Sequence, residues 1–527
     1  MSFLDRQATV AGPGYSRWLV PPAALAVHLS IGQVYAFSVF KLPLTEVLGI
    51  SKPAAGDWSQ PSLAWIFSIA IAFLGLSAAV FGRWVEKNGP RKTMLAAACC
   101  FGGGFLLAAL GVAWHQLWIV YLGYGVLGGC GLGLGYISPV STLVKWFPDR
   151  PGMATGMAIM GFGGGAMIGS PLAALLMKHF ASATDVGVAQ TFLVMAAIYF
   201  VFMMGGAFGY RVPVSGWKPE GWTAPTDAGG NAMITRGHVH VKKIWGIPQF
   251  WLVWLVLTMN VSAGIGVIGL ASPMLQEIFG GHLLGLDLKY GQLDKPQLTA
   301  IAGIAAGFAA LLSLFNIGGR FFWASLSDKL GRKTTYFVFF VLGAILYASL
   351  PSSAGAGSKL AFVGAVCIIL SMYGGGFSTV PAYLADLFGT QMVGAIHGRV
   401  LTAWSTAGIL GPVVVNYMRD YQLGLGIPRE QVYNQTMYIL VGFLVVGFIA
   451  NMLIKPVDQK YFMTDAELAE ERRLAHERAA ASEASTAVAV DAAPSSPATV
   501  VLAWAAVGIP LAWGVWMTLA SVAKFFN

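Results

Sequence analysis

The 527-residue chain is 56% hydrophobic and only 10% charged, with a mean hydropathy of +0.68, whereas an ordinary soluble domain carries roughly 25% charged residues. This excludes a soluble globular protein and describes an all-α polytopic membrane protein. The formal net charge of +9 does not point to nucleic acid, because the basic residues lie in short loops between apolar runs rather than on one face.

Residues 1–17 are short and polar, with no small-residue cleavage site after a short apolar core, so a retained cytoplasmic N-terminus is expected. Apolar runs long enough to cross roughly 30 Å of hydrocarbon follow near 18–40, 63–82, 93–113, 117–144, 153–177 and 189–210. Residues 211–247 are polar and rich in Gly, Pro and charge, and read as a cytoplasmic linker. A second set follows near 248–276, 298–326, 335–352, 359–385, 397–418 and 436–454. The expected domains are an N-terminal six-helix bundle at 18–210 and a C-terminal one at 248–454.

The second half repeats the first. Glu86-Lys87-Asn88-Gly89-Pro90-Arg91 matches Asp328-Lys329-Leu330-Gly331-Arg332-Lys333 at a shift of 242, and Pro139, Gly152, Gly156 and Gly169 fall on Pro381, Gly394, Gly398 and Gly411 at the same shift. A constant offset through loops and helices implies two bundles of one topology. With the amino terminus inside, 22 basic residues fall on the cytoplasmic side and eight outside, which predicts that orientation.

The tail departs from this plan. Thr464-Asp465-Ala466-Glu467 is a capping-box start for a charged cytoplasmic helix. An Ala/Ser/Pro-rich linker completes the segment 455–497. A further apolar run at 498–523 then predicts an extra transmembrane helix beyond both repeats.

One residue contradicts its surroundings. Arg320 follows Leu311 to Gly319 inside an apolar run and lies eight residues before the polar stretch that opens at Asp328, roughly 12 Å at about 1.5 Å per residue. An arginine near a helix centre costs about 2.5–3.5 kcal/mol on insertion scales and normally faces a cavity or partner. Arg320 therefore reads as an anion receptor. Asn316 is its i−4 neighbour. On the first span His28, Gly32 and Tyr35 share a stripe, with Gln33 on an adjacent face. Tyr136, Tyr373 and Trp404 can close an aromatic box around an apolar group, or serve packing; the sequence leaves both open.

The loop Gly82 to Lys92, with its echo at Ser327 to Lys333, resembles the loop motif of the major facilitator superfamily. A narrower resemblance to the oxalate:formate antiporter branch, related to monocarboxylate transporters, rests on four stretches. These are Lys145-Trp146-Phe147-Pro148-Asp149-Arg150-Pro151-Gly152, Asn316 to Arg320, Tyr373 to Tyr383, and Gly394 to Arg399 with Leu401 to Trp404. The superfamily resemblance implies alternating access, with Glu86, Arg91, Asp328 and Arg332 in a gating latch; the other reading of these charges is topology signals alone. The branch resemblance implies that Arg320 binds substrate carboxylate. Where oxalate carriers add a lysine on span eleven, this chain has Trp404, so a small monocarboxylate such as formate, pyruvate or lactate suits the charge better than oxalate.

The expected partners are that carboxylate, a counter-anion or a proton, and the lipid bilayer of a bacterial-type inner membrane. A monomer or weak oligomer is expected. Anion exchange is the simpler coupling, since Asp and Glu fall in loops, ends or tails. His28 is the residue that would serve a proton-coupled symporter instead, or else it is a hydrogen-bonded helix contact. A carboxylate receptor that moves nothing is the third reading. No catalytic constellation, metal-ligand spacing or nucleotide loop is present, so neither an enzyme nor a cofactor is expected.

Overall fold

The computed structural model describes residues 4, 6–50, 53–214, 217–222, 233–483 and 494–526. Among the described residues, thirteen helices are long and apolar enough to cross a membrane. In chain order they are α1 (Arg17–Lys41), α2 (Ser62–Gly82), α3 (Pro90–Ala113), α4 (Leu117–Trp146), α5 (Gly152–Phe180), α6 (Val188–Gly209), α7 (Pro248–Leu284), α8 (Gly307–Leu330), α9 (Arg332–Gly355), α10 (Lys359–Phe388), α11 (Val393–Gly424), α12 (Asn434–Leu453) and α13 (Pro497–Ala520). Helices α1–α6 form one bundle and α7–α12 the other, with α13 added on the outside.

Local chemistry sets the helix ends. The helix that carries α8 begins at Lys295 behind a capping box between Asp294 and Gln297, which satisfies two otherwise orphaned backbone donors. It ends at Gly331, whose φ of 83° only glycine adopts without strain. Gly89 closes the helix that carries α2 in the same way at φ 85°. The 242-residue repeat is thus a repeat of backbone conformation as well as of sequence.

The bundles meet along two seams, α5 with α8 and α2 with α11. Both are tight on the face that carries the basic loops. A methyl on Gly82 would lie 3.3 Å from the Ala395 Cα, and one on Gly156 would lie 3.0 Å from the Arg320 carbonyl. The Ser405 hydroxyl on α11 donates to the carbonyls of Ile71 and Ala72 on α2 at 3.1 and 3.0 Å. Small residues allow this approach, and van der Waals contact between backbones holds it.

Beyond α12 the chain turns back on the same face. Thr464 and Glu467 cap the tail helix Asp465–Glu483 reciprocally, at 2.9 and 3.2 Å. Lys243 of the segment before α7 pairs with Glu467 at 3.1 Å. The Thr464 N–H and then Lys243 hold that carboxyl below the usual carboxylate range.

Candidate functional site

Arg320 is fully buried on α8, where the i, i+4 spacing of a helix lays it along Asn316. Its Nε donates to Asn316 Oδ1 at 3.1 Å. Across the seam its Nη1 donates to the carbonyl of Ile159 on α5 at 3.2 Å. Nη2 is buried without a hydrogen-bond partner. Among the described residues, no carboxylate forms an ion pair with this guanidinium. Glycines make room for it: methyls on Gly163 and Gly374 would lie 3.0 Å from Nε and 3.1 Å from Cγ. Phe377 and Phe162 cover it, with ring centroids 5.3 and 5.8 Å from Cζ.

Around those rings the structure gathers most of the aromatic residues singled out in the sequence. Trp404 packs 4.3 Å from Phe377 and 5.1 Å from Phe162, centroid to centroid. Tyr136 lies 5.4 Å from Trp404 and 5.6 Å from Phe162. Tyr35 on α1 and Tyr373 on α10 join the bundles through a 3.1 Å hydrogen bond between their hydroxyls. The Tyr136 hydroxyl and the Trp404 indole N–H are buried and unpartnered, like Arg320 Nη2. Three open polar groups therefore border one aromatic box that both bundles build. Such groups are costly to bury unless a ligand completes them.

Two residues take other places. The Gln33 side chain accepts from the Tyr124 hydroxyl at 3.0 Å, inside the N-terminal bundle, and the cluster around Arg320 does not include it. The His28 ring nitrogens face the carbonyls of Ala158 and Tyr136, the latter at 3.3 Å, and the ring stacks on Tyr136 at 5.4 Å. His28 supports the back of the box through Tyr136. Sequence reading missed Phe162, Phe377 and the Ile159 carbonyl. Phe377 carried a usable signal, standing one turn after Tyr373. Phe162 was hidden in the glycine run 161–165, and a backbone carbonyl has no signature at all.

The latch residues divide unevenly. Asp328 accepts from the N–H groups of Gly152 and Met153 at 3.0 and 3.1 Å, so a carboxylate of α8 caps the first turn of α5 in the other bundle. Arg332 pairs with Asp328 and, at 3.4 Å, with Asp386. Arg91 is fully buried in the first turn of α3. The Glu86 side chain lies outside the described residues.

One carboxylate was hidden by its position at a helix end. Glu277 on α7 is 3% exposed and accepts from Arg419 (3.0 Å), Arg429 (2.9 Å) and the Tyr433 hydroxyl (2.6 Å). It is a structural hub of the C-terminal bundle, far along α7 from the aromatic box. Among the described residues no group of three His, Cys, Asp or Glu could hold a metal ion.

Two repeated six-helix bundles, meeting around a buried cation, define the class of membrane transporters that work between paired domains. The Major Facilitator Superfamily model matches residues 23–412, and the chain belongs to that family. It is 26% identical over 467 residues to the oxalate:formate antiporter of Oxalobacter formigenes, covering 86% of this chain and 96% of that one. It is 27% identical over 394 residues to apicoplast pyruvate carrier 1 of Toxoplasma gondii, covering 65% and 68%. Human monocarboxylate transporter 11 is 25% identical over 424 residues, covering 78% and 79%. The fold matches the proton:xylose symporter XylE with a TM-score of 0.55 at 14% identity, over 82% of this chain and 94% of that one.

Proposed function

We propose that this transporter carries small carboxylate anions and exchanges one for another by alternating access, with Arg320 as the principal ligand. The observation that carries the reading is a fully buried guanidinium with Nη2 unspent and no acidic partner among the described residues. A carboxylate docking on that edge forms a charge-assisted hydrogen bond and neutralises the site. Tyr136 and Trp404 offer donors to further oxygens, and the rings enclose the apolar remainder. One cation matches one carboxylate, which favours formate, pyruvate or lactate; oxalate would leave a net negative charge for neutral donors to stabilise.

Exchange follows from the resting contacts of the same residue. When empty, Arg320 binds the Ile159 carbonyl of the opposite bundle. Reorientation would break that bond and carry an unpaired buried charge across the interface, a step disfavoured by several kcal/mol. A bound carboxylate supplies the missing partner and lowers the barrier. Proton coupling is less well supported. His28 is enclosed by two carbonyls, and Glu277 is held by two arginines and a tyrosine. The excess of Lys and Arg on the latch face supports a cytoplasmic orientation for that face and for the amino terminus, in a bacterial-type inner membrane.

The test is counterflow in proteoliposomes loaded in turn with formate, pyruvate, lactate or oxalate, for the wild type and Arg320→Gln. Internal anion should accelerate uptake, and Arg320→Gln should lower it by about 100-fold or more, since removing one member of a buried charge pair costs about 3–5 kcal/mol. Retained exchange in Arg320→Gln, or uptake driven by a proton gradient without internal anion, would overturn the reading.

A further inference from the structure

Helix α13 stands outside the internal repeat and lies along α8, α5 and α1, touching both bundles at the α5/α8 seam. Its described polar ties run to the N-terminal half. The Trp504 indole donates to the Trp18 carbonyl at 3.0 Å. Just before the helix, the Ser495 N–H donates to the Gly14 carbonyl at 3.1 Å, and the Ser495 hydroxyl accepts from the Ser16 N–H at 3.1 Å. Val507 is buried with Leu25, Ala26 and Leu29 of α1. A methyl on Gly514 would lie 3.2 Å from Ile168 Cγ1 on α5.

Toward α8 the fit is apolar, and it falls at the depth of the site. Gly163, Gly164 and Gly165 leave α5 without side chains over three faces, Gly163 toward Arg320, Gly164 toward Leu29 and Leu511, and Gly165 toward Gly32 of α1. From the position of a methyl on Gly164, Leu29 Cδ2 of α1 is 3.1 Å away, Leu511 Cδ1 of α13 is 3.3 Å away and Ile317 Cδ1 of α8 is 3.7 Å away. The adjacent Gly163 is the one whose methyl would crowd Arg320 Nε. Leu511 therefore shares with Leu29 the filling of the slot at Gly164, and Ile317, which borders that slot, also lies 3.3 Å from the methyl position of Gly163 beside the buried cation. We propose that α13 is a side wall of the substrate site, fastened to the N-terminal bundle and riding over α8 as the bundles rock, with Leu511 and Leu29 together filling the glycine slot at Gly164.

The physical case has two parts. An unfilled slot would expose the buried guanidinium to lipid or water, weakening its hold on an anion, because polar interactions gain strength where water is excluded. The division of contacts also suits motion. Hydrogen bonds are directional and fasten α13 to one bundle, whereas apolar contact is non-directional and tolerates sliding on the other.

The inference rests on Arg320 as the substrate ligand, so the test includes a readout that needs no substrate. In a variant with Cys99, Cys100, Cys130 and Cys367 changed to alanine, two cysteine pairs are compared before and after oxidation. Ile168→Cys with Gly514→Cys ties α13 to the N-terminal bundle, and Ile317→Cys with Leu511→Cys ties it to α8. Counterflow is measured with the best carboxylate, and amide hydrogen exchange follows 148–156 and 322–332, the segments that part when the latch face opens.

The first link should leave both readouts within about twofold, while the second should lower counterflow and slow amide exchange by about tenfold, reversibly on reduction, as trapping one of two states requires. Separately, Leu511→Ala should lower counterflow by about tenfold and Leu511→Met should restore it, as expected for a shape-filling side chain. Equal effects of the two links on amide exchange, or no effect of the link to α8, overturn the strap. Full counterflow in Leu511→Ala overturns the side wall. Loss of counterflow in every form, with the expected difference in amide exchange intact, counts against the carboxylate reading and leaves the strap standing.

Discussion

Arg320 on α8 donates to the main-chain carbonyl of Ile159 on α5 at 3.2 Å, so the residue read as the substrate ligand also joins the two bundles. On the proposed function, substrate and bundle interface would share one guanidinium, Ile159 on Nη1 and the anion on Nη2. Changes that move the arginine should therefore alter exchange more than stability. A methyl on Gly163 would lie 3.0 Å from Arg320 Nε. Gly163→Ala is expected to lower counterflow by about tenfold, with a normal melting profile in detergent. A wild-type rate would show that the position of Nε does not matter.

Asn316 holds Nε at 3.1 Å. Asn316→Ala leaves that N–H buried and unpaired, a loss of about 1–3 kcal/mol, and should raise the half-saturating anion concentration about tenfold or more. Asn316→Asp is expected to be worse, because an internal carboxylate neutralises the arginine and competes with substrate. An aspartate variant that exchanges anions as well as wild type would refute the role given to the open charge.

Trp404 is the neutral member of the box whose replacement can add charge. Trp404→Lys adds a second cation and should shift the oxalate-to-formate preference toward oxalate by about tenfold, the effect of about 1.4 kcal/mol of added attraction for a dianion. Inhibition of labelled formate uptake by each anion gives the ratio. An unchanged ratio would place Trp404 outside the ligand's reach.

Asp328 caps the first turn of α5 through the N–H groups of Gly152 and Met153. Asp328→Asn weakens a charge-assisted cap worth about 1 kcal/mol. The latch face should open about fivefold more often, read as faster maleimide labelling of a cysteine placed at Ala324. Glu277 predicts a different outcome. Glu277→Gln leaves Arg419 and Arg429 without their shared buried carboxylate and is expected to lower the melting temperature sharply, a cost of about 3–5 kcal/mol, while the folded fraction keeps its anion selectivity.

Arg320 announced itself in the sequence because hydrocarbon makes a lone charge expensive wherever its helix packs; no contact had to be known. The paired bundles were legible for a related reason. Membrane-length apolar runs and one constant offset are properties of the chain alone, whereas the fold shows that Gly89 and Gly331, which fall on that offset, close their helices at positive φ. Of the partners of Arg320, Asn316 was legible as its i−4 neighbour; those from other helices were not. Ile159 contributes only a carbonyl, Phe162 is hidden among glycines, and Gln33, one residue after Gly32 of the stripe that holds His28 and Tyr35, turns instead to Tyr124. Glu277 sits near a helix end, among acids that the sequence assigns to loops, ends or tails, and only the fold brings two arginines onto it. Where a charge must be buried is written in local composition. What completes it depends on which faces of distant helices meet, and only close packing of the whole chain decides that.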